Sequence, residues 1–148
     1  MKTVIHIIGA RPNFIKAAPL INEMDKLGIK NLILHTGQHY DDNMSKVFFD
    51  ELDIPKPHHN LNAGGGSHAK QTSTIMLGCE KFFLDFNPDL VVVYGDVNSC
   101  VAASLVATKM GIKIAHIESG LRSYDRNMPE EINRVITDSI SDLLFLTS

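Results

Sequence analysis

Residues Asp89–Tyr94, DLVVVY, decide the fold class, and Gly95-Asp96-Val97-Asn98-Ser99 follows them directly. An unbroken apolar run with no polar alternation is the pattern of a strand buried on both faces of a parallel sheet. Upstream, a long helix runs from Ser67 to about Asp85, with Ser67 as its N-cap and Ile75, Cys79, Phe82 and Phe86 as its buried stripe. Downstream come a small-residue helix over Asn98–Met110, a strand over Ile112–Ile117, a helix over Pro129–Ile140 and a strand over Leu143–Thr147. Toward the N-terminus, Thr3–Ile8 reads as a strand broken by Gly9-Ala10-Arg11-Pro12. Asn13–Leu27 then reads as a helix, because Phe14, Ala17, Ala18, Ile21 and Met24 recur at three- and four-residue spacing. Gly28 stops it, Asn31–Thr36 is a second strand, and Asp42–Glu51 is a short helix. Pro55–Gly66 is a loop, with a short edge strand near His59–Leu61. Strand and helix alternate throughout, which predicts an α/β domain over residues 1–148: a doubly wound, mostly parallel sheet with helices on both faces and right-handed crossovers.

Composition bounds the function. The chain has 148 residues, 14 Lys+Arg and 17 Asp+Glu, so its formal charge is −3. With 44% hydrophobic and 21% charged residues it is globular, not disordered. Its mild acidity argues against a nucleic-acid partner, which demands a basic face. No run approaches the ~18 apolar residues that span a bilayer, so no membrane association is expected. The N-terminal stretch lacks the apolar region and cleavage site of a signal peptide. Two cysteines, Cys79 and Cys100, make no disulfide framework and suit a reducing, cytoplasmic compartment. Cys100 is read as a small packing residue. Neither the cysteines nor the adjacent His58 and His59 have metal-ligand spacing, so no metal is expected.

Ligands of open α/β sheets bind beyond the carboxyl ends of the strands. There the chain has Gly9-Ala10-Arg11-Pro12-Asn13, Gly37-Gln38-His39, Gly95-Asp96-Val97-Asn98-Ser99 and Glu118-Ser119-Gly120-Leu121-Arg122-Ser123. Their placement gathers a cation, a histidine and two carboxylates at one edge. Ordinary roles compete with chemical ones. Asp96 fits an N-cap as well as a catalytic acid, and Lys16 fits a solvated helix face. His39 fits a hydrogen-bonded loop, and Glu130 and Glu131 fit the acidic first turn of a helix. Glu118 is harder to explain that way, because it ends an apolar strand and projects at the sheet edge. Arg11 stands at a strand–helix junction suited to a phosphate or carboxylate. The glycine fingerprints of dinucleotide enzymes and P-loop NTPases are absent, and no cofactor is expected.

Gly9-Ala10-Arg11-Pro12 with Lys16, Thr36-Gly37-Gln38-His39, Pro88–Asp96, His116-Ile117-Glu118-Ser119-Gly120-Leu121-Arg122 and Pro129-Glu130-Glu131-Ile132-Asn133-Arg134 occur in that order. Together they resemble the non-hydrolysing UDP-N-acetylglucosamine 2-epimerases and the close relatives that act on UDP-2,3-diacetamido uronic acids. The family usually carries Ala at the position of Ser119 and often Thr at that of Ala10. The resemblance implies the N-terminal Rossmann-like half of a two-domain GT-B fold, its C-terminal UDP-binding domain absent from this chain. It implies interconversion of UDP-GlcNAc and UDP-ManNAc through elimination of UDP to a glycal and re-addition, within a homodimer. It further implies that Asp96, Glu118 and Glu130 are catalytic carboxylates, with Glu130 favoured over Glu131 because it directly follows Pro129. Arg11 and Lys16 are the matching cations, and Gln38, His39, Asn98 and Arg122 further substrate contacts. Gln38 and His39 also match a region that contacts an activating second UDP-GlcNAc in regulated bacterial members. In the family the second domain supplies a catalytic histidine and most of the UDP grip, so this chain is expected to be inert alone. A GT-B glycosyltransferase and a non-catalytic flavodoxin-like domain are the competing readings.

Overall fold

The computed structural model describes residues 1–37 and 46–146. A six-stranded sheet runs in the order β3-β2-β1-β4-β5-β6, every neighbouring pair parallel. Its strands are β1 (Thr3–Ile8), β2 (Lys30–His35), β3 (His59–Asn60), β4 (Leu90–Tyr94), β5 (Lys113–Ser119) and β6 (Leu143–Leu146). Between them lie α1 (Arg11–Lys26), α2 (Lys46–Leu52), α3 (His68–Phe86), α4 (Asn98–Lys109) and α5 (Pro129–Ile140). The chain steps outward from β1 to β3, then returns to β4 beside β1 and steps outward the other way. That reversal makes a switch point between β1 and β4, the Rossmann-like order in which a crevice opens above the strand ends.

Alternate residues of the strands feed two cores. Ile5, Ile7, Leu32, Leu34, Val91, Val93 and Ile114 pack against α3 and α4, while Val4, Ile8, Ile33, Val92 and Ala115 pack against α1 and α2. Because β4 buries both faces, it has no polar alternation to show. Its neighbour α4 is buried nearly all round, and Gly9 explains the close fit: a Cβ there would lie 2.9 Å from Ser99 Oγ.

Two boundaries and one buried stripe differ from expectation. Helix α1 begins at Arg11, not Asn13, because Pro12 is tolerated in a first turn and Asn13 Oδ1 accepts from the Gly9 and Ala10 amides, both at 3.2 Å. Strand β5 does not stop at Ile117: a register shift between Ile117 and Ser119 bulges Glu118 out at φ 65°, and Ser119 pairs again with Leu146. In α3, Phe83 is buried where Phe86 was expected, and Phe86 is 41% exposed. Asn87 ends the helix in the left-handed conformation, leaving Phe86 at the rim with its ring 4.6 Å from that of Phe82. Ser67 does cap α3, accepting from the Lys70 amide at 3.1 Å.

Helix α5 is turned inside out. It buries Glu131, Asn133, Thr137 and Asp138 and leaves Ile132 exposed. Beyond it, all of Leu143–Leu146 in β6 is exposed. Among the described residues no helix is long and apolar enough to cross a membrane.

Candidate active site

The turns after β1, β4 and β5 and the start of α5 carry the residues singled out in the sequence. Asp96 leaves β4 and does not cap α4; Val97 holds that position and offers no side-chain bond. The Asp96 carboxylate instead accepts from Arg134 Nε at 2.9 Å, and its backbone carbonyl accepts from Asn133 Nδ2 at 3.0 Å. Glu118, raised by the bulge, meets Lys16 in an ion pair that crosses from β5 to α1. Lys16 is therefore brought to the Glu118 turn, although its position on an exposed helix turn suggested a solvated side chain. The two carboxylate turns are also stitched by backbone, Gly95 N donating to the Ile117 carbonyl at 3.0 Å.

Arg11 stands apart from the carboxylates. Its guanidinium carbon lies 4.8 Å from the centroid of Phe48, a cation–π contact, and its buried Nε has no hydrogen-bond partner among the described residues. It makes no ion pair among the described residues. Gln38 and His39 lie outside the described residues.

Glu130, favoured in the sequence for its place after Pro129, and Glu131 separate cleanly. Glu131 is buried and spoken for: its oxygens accept from the Ser123 amide at 2.9 Å, the Tyr124 amide at 3.0 Å and Arg134 Nη1 at 3.0 Å. The Ser123 amide and its companions hold that carboxyl below the ordinary range, against the burial that pushes it up. The Glu130 carboxylate bonds nothing among the described residues and lines a cavity of about 310 Å³ with Gly66, Ser67, His68, Asn98 and Asn133.

Three helices begin around that cavity. Ser67 precedes α3, Val97 precedes α4 and Pro129 opens α5. The positive ends of their macrodipoles make the space favourable for negative charge. Asn98 organises its floor, donating through Nδ2 to His68 Nδ1 at 3.0 Å and Gln71 Oε1 at 3.1 Å and accepting from Asn133 Nδ2 at 3.1 Å. Since Nδ1 of His68 accepts there, the ring's hydrogen sits on Nε2. Arg122 turns away from the cavity, its Nη1 donating to Asp138 at 2.7 Å and to the Leu121 carbonyl at 2.6 Å. Sequence reasoning missed His68, Asn133, Arg134 and Asp138 as parts of this edge. Only the Pro129–Arg134 motif held a signal for any of them.

The geometry thus unites acids and cations at one sheet edge, beside a cavity suited to an anion. Residues 22–148 match the family model for UDP-N-acetylglucosamine 2-epimerase. The chain belongs to this family. It is 56% identical over 142 residues to a UDP-N-acetylglucosamine 2-epimerase homolog of Methanococcus maripaludis, covering 96% of this chain and 40% of that protein. It is 48% identical over 143 residues to the UDP-2,3-diacetamido-2,3-dideoxy-D-glucuronate 2-epimerase of Pseudomonas aeruginosa, covering 96% and 40%. The crystal structure of Methanocaldococcus jannaschii UDP-GlcNAc 2-epimerase, in complex with UDP-GlcNAc and UDP, superposes with a TM-score of 0.91 at 51% identity, covering 97% of this chain and 40% of that one. This epimerase-family chain therefore spans about 40% of the length of the curated relatives it matches.

Proposed function

We propose that this chain is the N-terminal, sugar-handling domain of a non-hydrolysing 2-epimerase that interconverts UDP-GlcNAc and UDP-ManNAc in the cytoplasm, working as a homodimer with a second, UDP-gripping domain. The observation that carries the reading is the meeting of Asp96, Glu118, Lys16 and Arg134 at the strand ends beside the cavity that Glu130 lines.

The reaction makes two demands. The anomeric C–O bond breaks with its electron pair leaving on UDP, while the C2 proton departs and its bonding pair becomes the C1=C2 double bond of the glycal. UDP then returns to C1 and a proton to C2 on the opposite face. Charge grows on the departing diphosphate, and Arg11 and Lys16 are the cations that offset it. Positive character grows on the sugar, and Asp96, Glu118 and Glu130 are the carboxylates that offset it and move the C2 proton. Glu130, with both oxygens unbonded among the described residues, is open to substrate, whereas Glu131 is committed to the fold. Asn98 shapes the cavity floor, and Gln38 and His39 complete the substrate contacts, while Arg122, expected among them, is committed to Asp138.

The test is a chimera in which this chain replaces the matching residues of the Methanocaldococcus jannaschii relative. With UDP-GlcNAc in D2O, the chimera is expected to form UDP-ManNAc with deuterium at C2 and to release traces of glycal without any acceptor. The 148-residue chain alone is expected to give no turnover. Turnover by the bare chain, or acceptor-dependent sugar transfer by the chimera, overturns the reading. The identity to the Pseudomonas aeruginosa uronate epimerase supports a second reading, in which a UDP-diacetamido uronic acid is the substrate; parallel assays with both sugars separate the two.

A further inference from the structure

Beneath Asp96 and Glu118 lies a buried ion cluster built from α5 and β5. Asp138 Oδ1 is 2.6 Å from His116 Nδ1. Its Oδ2 accepts from the Gly120 amide at 3.0 Å and from Arg122 Nη1 at 2.7 Å. His116 is fully buried and sets its other nitrogen, Nε2, 2.6 Å from the Gly95 carbonyl oxygen. A carbonyl oxygen can only accept, so Nε2 carries a hydrogen. Burial pushes the Asp138 carboxyl up, but Arg122, the Gly120 amide and His116 outweigh it and hold the group below the ordinary carboxylate range. Nδ1 of His116 faces Asp138 and Nε2 donates to the β4 turn, so the ring bridges helix α5 and that turn.

The cluster therefore grips both carboxylate turns at once. Gly95 immediately precedes Asp96, and Gly120 follows Glu118 by two residues. Glu118 holds φ 65°, a conformation that persists in a non-glycine residue only where its surroundings over-determine it. The Gly120 amide bond and the Lys16 pair are two such restraints. A buried triad of this kind is weak evidence for stability, since desolvation offsets most of the attraction. Its value lies in fixing one geometry.

We propose that Asp138, acting through His116, is a positioning residue that holds the Asp96 and Glu118 turns in one register for the epimerase reaction. The catalytic part of this proposal rests on the function proposed above.

Two measurements test it. In the 15N-labelled 148-residue chain, imidazole correlation spectra are expected to show a hydrogen on His116 Nε2, the atom that meets the Gly95 carbonyl. Asp138→Asn should speed amide exchange at Asp96 and Glu118 but not in β1. A bare Nε2 in the unaltered chain overturns the cluster, and so does unchanged exchange at both turns. In the chimera, Asp138→Asn is expected to lower kcat about 10- to 100-fold with KM held within about twofold, the mark of misplaced groups rather than lost binding. Unchanged kcat, or a loss confined to KM, overturns the positioning role. His116→Gln cuts the same link while leaving Asp138 paired with Arg122, and serves where Asp138→Asn does not fold. An unaltered chimera without turnover overturns the epimerase reading and the catalytic purpose of the cluster together, while the spectra still report whether Asp138 holds the two turns.

Discussion

Helices α4 and α5 have the same length, follow neighbouring strands and pack side by side, yet they solve opposite problems. Past its polar first turn, Asn98 and Ser99, helix α4 buries Cys100, Val101, Ala102, Ala103, Val106 and Ala107, an apolar wedge of small side chains interrupted by Ser104. Helix α5 buries Glu131, Asn133, Thr137 and Asp138 and turns Ile132 outward. Helix α4 is held by close packing. Helix α5 is held by hydrogen bonds to the loops that carry the site. The contrast teaches that hydrophobic periodicity finds an amphipathic helix without saying which face lies inside.

Acid draws the sharpest line between them. The inner carboxylates of α5, Glu131 and Asp138, both titrate below the ordinary range, so their contribution is full above the unfolded values near pH 4 and is lost as pH falls through the lowered folded values. Helix α4 buries no carboxylate. A second group goes first and must be removed to see this. His6 is fully buried, and burial lowers it to about 4 from 6.5, against the hydrogen bond to Asn31 that raises it. Between those values the unfolded chain takes a proton that the folded chain refuses, so stability falls as pH drops from 6.5 to about 4. The loss is about 3 kcal/mol from His6 alone, and His35 and His58, both lowered by burial, add in the same direction. Urea unfolding across that window measures it. His6→Gln, whose amide can still meet Tyr94 and Asn31, is expected to flatten the slope and leave the more acidic α5 transition visible.

Size separates the helices next. Ala103 has no exposed surface, and Ala103→Leu is expected to cost about 1–3 kcal/mol through overpacking, read from the urea midpoint. The smallest effect belongs to the outward face of α5. Ile132 is 43% exposed, and Ile132→Ser should change stability by no more than about 0.5 kcal/mol. A loss of several kcal/mol there would mean that the helix packs the other way round.

Much of this was legible in the residues. The run Leu90–Tyr94 and the alternation of strand and helix fixed the class, and the strand-end motifs located the edge where Asp96, Glu118 and Lys16 gather. What escaped was whatever depends on a partner distant in sequence. Asp138 reads as an ordinary polar helix position, and His116 as a stray polar residue in an apolar strand; they become a pair only when α5 folds back over β5. The sequence favoured Glu130 over Glu131, but that Glu131 is spent on the Ser123 and Tyr124 amides and Arg134 needed the direction of one helix face. The bulge at Glu118 needed the re-pairing of Ser119 with Leu146, since periodicity alone ends the strand at Ile117.

That bulge sets position 118 against itself. A left-handed backbone costs a side-chain-bearing residue about 1–2 kcal/mol that glycine would escape, while the ion pair with Lys16 is too exposed to recover much of it. Directed selection for heat tolerance alone would drift this site toward glycine and discard in the same step the carboxylate that faces Lys16.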